Sequence, residues 1–241
     1  MTEVFIRCVT MYLNPYDFVG ISFFVTSMAL LASTVFFILE RSEVIPAWRT
    51  SMTVASLVTG IAFVHYLYMR GVWIELQSTP IVLRYVDWLI TVPLQIIEFY
   101  LILCAVGYKK IALFWKLLIA STLMLVFGYI GEANMGSPTL FFILGMAAWL
   151  YILFELFFGE VAAATHESQK ASCALAVVSL KWIVTVGWAI YPIGYAFGYL
   201  LPLVDANSLN IIYNLADFVN KIAFGLVIWT AARMDSPIYQ K

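Results

Sequence analysis

The chain has 241 residues, of which 63% are hydrophobic and 11% charged, with a mean hydropathy of +0.94 and a formal net charge of −1. A soluble domain carries about 25% charged and 45–50% apolar residues, so this composition excludes a water-soluble fold of this length: the apolar excess has to face lipid. There is no basic tract to follow a phosphate backbone, and two histidines, His65 and His166, cannot supply a multi-histidine metal site.

Ahead of the first apolar run, Met1 to Thr10 holds Glu3 and one basic residue, Arg7, with no small-residue cleavage site. It reads as a short, partly amphipathic extracellular lead-in, with a cleaved secretory signal as the less supported alternative. Seven stretches then meet the requirement of about 20 mostly apolar residues for a membrane helix. They are Phe18 to Leu39, Thr50 to Tyr68, Val82 to Val106, Leu113 to Tyr129, Leu140 to Phe158, Ser172 to Leu200 and Leu209 to Ala232. The connections are short and carry breakers (Pro46, Gly71 with Pro80, Gly107, Gly131 to Pro138, Gly159 and Pro202), and none is long enough for a second domain. The expected architecture is an all-α membrane protein, a single seven-helix bundle spanning residues 1–241. Cys8, Cys104 and Cys173 are an odd set without CxxC spacing and read as small buried hydrophobes.

Basic residues set the orientation. With the amino terminus outside, the inner loops and tail hold Arg41, Arg49, Lys109, Lys110, Lys116, Lys170, Arg233 and Lys241, whereas the outer segments hold only Arg7 and Arg70. That asymmetry satisfies the positive-inside rule, with the carboxyl terminus cytoplasmic. Of the remaining basic residues, Lys181 can reach the inner headgroups along its stem, but Arg84 and Lys221 lie deeper.

Ionisable groups inside a bilayer are costly and therefore functional candidates. The third span carries Arg84, Asp87, Thr91 and Glu98; at 100° per residue all fall on one narrow stripe. From Asp87 to Glu98 the helix rises about 16 Å, half a bilayer core, which suits two stations on a proton path. On the seventh span Asp217 and Lys221 are four residues apart and share a face. An internally neutralised pair that fixes packing accounts for those two residues, but poorly for the arginine and two further carboxyls. A lysine at mid-membrane also suits imine chemistry, because desolvation favours the free amine nucleophile.

Several long motifs resemble proteorhodopsins, of the microbial rhodopsin family. Arg84-Tyr85-Val86-Asp87-Trp88-Leu89-Ile90-Thr91-Val92-Pro93-Leu94-Gln95, continuing to Glu98-Phe99-Tyr100, is similar to their third helix. Asn214-Leu215-Ala216-Asp217-Phe218-Val219-Asn220-Lys221 resembles the retinal-binding seventh helix, Gly187-Trp188-Ala189-Ile190-Tyr191-Pro192 the sixth, and His65-Tyr66-Leu67-Tyr68-Met69-Arg70-Gly71 the end of the second.

The resemblance implies a light-driven outward proton pump in the inner membrane of a bacterium. Lys221 would carry all-trans retinal as a protonated Schiff base, with Asp87 and Asp217 as counter-charges and Arg84 offsetting the second of them. Asp87 would accept the proton and Glu98, among Leu94, Ile96, Ile97, Phe99 and Leu101, would store one at rest and replace it from the inner side. His65 would pair with Asp87 and tune it, and Thr91 would hydrogen-bond Asp87. Trp88, Trp188 and Tyr191 match retinal-sandwiching positions, with Pro192 beside them; Tyr195 is a weaker match. Gln95, where green-absorbing relatives carry Leu and blue-absorbing ones Gln, implies blue absorption.

Two outer carboxylates that bacteriorhodopsins use for proton release fall at Leu200 and Leu209, so release by that route is not expected. Phe24 stands where many relatives have a tryptophan that meets a neighbouring subunit's histidine, which weakens a cross-subunit role for His65. The family expectation is still a homo-oligomer, a pentamer or hexamer. Chloride pumps replace the acceptor aspartate and sodium pumps carry an Asn-Asp-Gln pattern, neither of which matches. A photosensor is the alternative: it would share Lys221 and Asp87 but rarely keeps a carboxyl like Glu98.

Overall fold

A computed structural model of the chain describes residues 13–236. The expected lead-in with Arg7 and Cys8, and Lys241 at the inner tail, lie outside the described residues. Among the described residues seven helices are long and apolar enough to cross a membrane: α1 (Phe18–Glu40), α2 (Arg49–Leu76), α3 (Ile81–Ala105), α4 (Ile111–Glu132), α5 (Pro138–Ser168), α6 (Ala171–Leu200) and α7 (Ala206–Met234). The architecture is the seven-helix bundle that the hydropathy pattern predicts, with helices consecutive in sequence packed side by side and α7 closing the ring against α1 and α2.

The helix starts follow local chemistry. Asp17 accepts from the Gly20 amide at 2.9 Å and opens α1, Ser137 caps α5 ahead of Pro138, and Asp205 accepts from the Asn207 and Ser208 amides to open α7. α2 departs from expectation by running on from Tyr68 to Leu76, where Gln77 in the left-handed region ends it. Arg70, expected in an outer loop, therefore sits on α2, with its guanidinium 5.7 Å from the Phe24 ring. An arginine whose head lies over an aromatic face can remain helical near the membrane boundary, which hydropathy does not register.

Burial separates inner from outer helices. Within their most apolar windows, 56% of α3 and 50% of α2 and α7 are buried, against 22% of α5, so α2, α3 and α7 are the ones whose side chains meet inside. α5 and α6 are not regular throughout. α5 breaks at Phe158–Gly159 and resumes over Glu160–Ser168, and α6 opens into wide turns at Ile183–Gly187 and Ala196–Leu200. Side chains from neighbouring helices take up the carbonyls there: Asn220 Nδ2 donates to Gly187 O at 3.0 Å and Trp149 Nε1 to Val184 O at 3.1 Å.

Candidate functional site

Lys221 and Asp217 emerge from the same turn of α7 and point between α3 and α2. Lys221 is 2% exposed, and its Nζ lies 2.5 Å from Asp87 Oδ2 and 2.9 Å from Asp217 Oδ2. Asp87 and Asp217 are also buried. Taking these charges out of water is tolerable only when they are paired and further hydrogen-bonded.

The two carboxylates differ sharply in that respect. Asp217 accepts from Tyr66 Oη (2.8 Å), Tyr191 Oη (2.6 Å) and Trp88 Nε1 (3.2 Å), which come from α2, α6 and α3, besides Lys221. Asp87 has Lys221 on Oδ2, while its Oδ1 has no hydrogen-bond partner among the described residues and faces His65 Nδ1 at 3.5 Å. His65 is thus beside Asp87, as its motif implies, with Nδ1 also 3.1 Å from the Ile61 carbonyl of the preceding turn. Thr91 differs from expectation: its hydroxyl donates to the Asp87 backbone carbonyl at 2.9 Å, because a threonine one turn on reaches the i−4 carbonyl of its own helix more readily than the side chain.

Arg84 lies one turn before Asp87 on α3. Asn210 and Asn214 hold its Nη2 at 3.0 and 2.9 Å, and its guanidinium sits 5.5 Å from the Tyr213 ring. No carboxylate contacts it among the described residues, and its Nε and Nη1 are buried without partners. It therefore offsets the second carboxylate through the field rather than by a bridge. Glu98 is at the other end of the stripe, fully buried, with neither carboxyl oxygen bonded among the described residues. The Ser51 hydroxyl of α2 faces it, outside hydrogen-bonding geometry.

From Lys221 a cavity extends between α3, α4, α5, α6 and α7. Trp88, Trp188, Tyr191, Pro192, Tyr195 and Gln95 all line it. Gln95 is buried with its Nε2 unpartnered. Tyr195 is at the cavity wall, and its hydroxyl donates to Pro138 O at 3.1 Å.

Motif reading missed several members of this site. Tyr66 lay within a quoted motif without a role, Asn210 and Asn214 bind Arg84 across more than 120 residues, and Glu132 at the end of α4 shares the cavity wall. For Tyr66 the signal was its place beside His65; for the others, a polar side chain at helical spacing from Asp217 or at a span's end.

Residues 17–234 match the bacteriorhodopsin-like protein family. The chain is 54% identical over 226 residues to the blue-light absorbing proteorhodopsin of Gamma-proteobacterium Hot 75m4, across 93% of this chain and 90% of that protein. It is 53% identical over 225 residues to the green-light absorbing proteorhodopsin of Gamma-proteobacterium EBAC31A08, with the same coverage. The crystal structure of blue light-absorbing proteorhodopsin from Med12 matches with a TM-score of 0.80 and 58% identity, covering 91% of this chain and 100% of that one.

Proposed function

The chain belongs to the bacteriorhodopsin-like family, and from that membership we propose that it is a light-driven pump carrying protons outward across a bacterial inner membrane, with retinal held on Lys221. The observation that carries the reading is the position of Lys221 Nζ, between Asp87 and Asp217 at the end of an aromatic cavity.

The cavity fits an all-trans polyene attached to that nitrogen. Trp88, Trp188 and Tyr191 offer flat apolar walls, and Gly145, also on the cavity wall, lets α5 pack close to α4, since a Cβ there would approach the Met124 carbonyl oxygen to 3.3 Å. When bound as a Schiff base on Nζ, retinal supplies light absorption and an isomerisation that alters the position and proton affinity of that nitrogen. Everything else falls to the chain's own groups.

Asp87 takes the proton carried on Nζ. It is the poorly satisfied carboxylate, and protonation at Oδ2 costs it one charged partner only. Asp217, with donors from Tyr66, Tyr191 and Trp88, is held as the anion and remains the fixed counter-charge. Glu98, about 16 Å inward along α3, stores a proton in its dry, apolar surroundings and returns it towards Nζ. Arg84, on the outer side, offsets the negative charge of the two carboxylates around Nζ. The carboxyl terminus is cytoplasmic in this reading, and the pump works within a homo-oligomer.

Substituting Asp87→Asn in cells supplied with retinal tests the assignment: light-driven acidification of the medium should disappear, and undiminished acidification would overturn it. A photosensor would share Lys221 and Asp87 but rarely keeps a buried inner carboxyl such as Glu98.

A further inference from the structure

Beside Lys221 stands a buried amide that the pump reading leaves without a role. Asn220 immediately precedes Lys221 on α7, is buried, and lines the same cavity as Lys221 and Asp217. Its Nδ2 carries two hydrogens and meets two acceptors, both on α6: the Gly187 carbonyl at 3.0 Å and, through a long bond, the Tyr191 hydroxyl at 3.5 Å. Gly187 closes the first wide turn of α6, Ile183–Gly187, and it is what admits the amide, because a Cβ at that position would collide with Asn220 Oδ1. Tyr191 Oη in turn donates to Asp217 Oδ1 at 2.6 Å, while its backbone carbonyl is held by the Tyr213 hydroxyl at 3.2 Å. A phenol has one proton to give. With an N–H of Asn220 directed at its oxygen, that proton is turned away from the amide and onto Asp217, and each bond polarises the next. Asp217 Oδ2 then holds Lys221 Nζ at 2.9 Å. Asn220, Tyr191, Asp217 and Lys221 thus form a chain of bonds that leaves α7 for α6 and returns to α7 one residue further on. Asp87 has nothing equivalent, since its Oδ1 lacks a hydrogen bond among the described residues.

We propose that Asn220 is a positioning residue of the pigment: by directing the Tyr191 hydroxyl onto Asp217 it keeps Asp217 the fully bonded, fixed counter-charge beside Nζ, and so preserves the asymmetry that leaves Asp87 as the acceptor. This rests on the reading of Lys221 as the residue that carries retinal. Without the amide, the bond from Tyr191 to Asp217 weakens, and Asp217 presents more of its charge to the cationic nitrogen. The ground state, whose positive charge lies near Nζ, is then stabilised more than the excited state, and absorption moves to higher energy. A residue that merely packed α7 against α6 would not act through the Tyr191 hydroxyl.

Absorption spectra of the full, retinal-loaded protein in lipid discs, taken at alkaline pH so that Asp87 is a carboxylate, test this as a double-mutant cycle. Asn220→Leu keeps the bulk and removes the donor, and it should move the absorption maximum to the blue. Gly187→Ala displaces the amide without changing it, and should shift the maximum in the same direction. In a Tyr191→Phe background, where there is no hydroxyl to direct, both shifts should vanish. Equal shifts with and without the Tyr191 hydroxyl would overturn the proposal and leave Asn220 a packing residue, as would an unmoved maximum in both single variants. If Asn220→Leu yields no coloured protein, Gly187→Ala with and without Tyr191→Phe decides by the same criterion. A wild-type chain that remains colourless with retinal would instead overturn the reading of Lys221 on which the proposal rests.

Discussion

His65 Nδ1 stands 3.5 Å from Asp87 Oδ1, the carboxylate oxygen without a hydrogen bond, while Lys221 occupies the other oxygen at 2.5 Å. The imidazole Nδ1 stands between this carboxylate and the Ile61 carbonyl, which is 3.1 Å away. A histidine in that position converts the charge state of the acceptor into a pH-sensitive quantity.

The first prediction concerns that pair. Acid should protonate Asp87 in the dark, remove the counter-charge from the cationic nitrogen and move the absorption maximum to the red. In His65→Asn this acid-induced colour change should fall in a different pH range from that of the wild type. Superimposable titrations of the two proteins would show that the residues act independently.

Glu98 has no partner for either oxygen among the described residues and sits in an apolar layer containing Ile96, Phe99 and Ile102. Glu98→Gln keeps the shape but removes the proton. Reprotonation of the Lys221 nitrogen should slow by roughly 10²-fold, as expected for loss of a general acid, and should acquire a dependence on bulk pH. Flash photolysis from pH 6 to 9 checks this; a wild-type time course would reduce Glu98 to a packing residue.

Gln95 presents a buried amide to the cavity, with Nε2 unpartnered. A dipole arranged for a positive charge near Lys221 stabilises the ground state more than an excited state whose charge has moved along the polyene. Gln95→Leu should therefore shift absorption to the red without abolishing pumping. An absorption spectrum of the purified variant is sufficient, and an unmoved maximum would contradict the assignment.

Asp205 lies outside the membrane segments, exposed, and caps α7 by accepting from Ser208 Oγ at 2.7 Å and from the Asn207 and Ser208 amides. The bonds from the Ser208 hydroxyl and amide hold its carboxyl below the usual range. A carboxylate lowered on folding adds stability above its unfolded value of about 3.9 and loses it as pH falls through the folded one. Asp205→Ala should lower the melting temperature at pH 7, and the gap from wild type should close in acid below about pH 4. An equal gap at both pH values would mean that the cap contributes through packing alone.

The number of helices and the charged stripe on α3 were readable because both follow from local periodicity: twenty apolar residues span a bilayer, and Arg84, Asp87 and Glu98 share a face at 100° per residue. The Asp217–Lys221 pair was readable for the same reason. What joins different helices was not. That Tyr66, Tyr191 and Trp88 all donate to Asp217, leaving Asp87 as the less satisfied carboxylate, depends on packing between α2, α3, α6 and α7, which no spacing along the chain encodes. Glu132 escaped because it ends its helix beside a glycine-rich connection, where a carboxylate reads as solvated. The extension of α2 past Arg70 escaped because hydropathy falls where a helix leaves the lipid, although its hydrogen bonds do not.

The central claim is net outward movement of protons driven by light. Cells expressing the chain, supplied with retinal and suspended in unbuffered medium, should acidify that medium on illumination and recover in the dark, and a protonophore should abolish the change. A medium that stays at constant pH under light, from cells whose pigment absorbs and completes a slow photocycle, would contradict it and leave a photosensor.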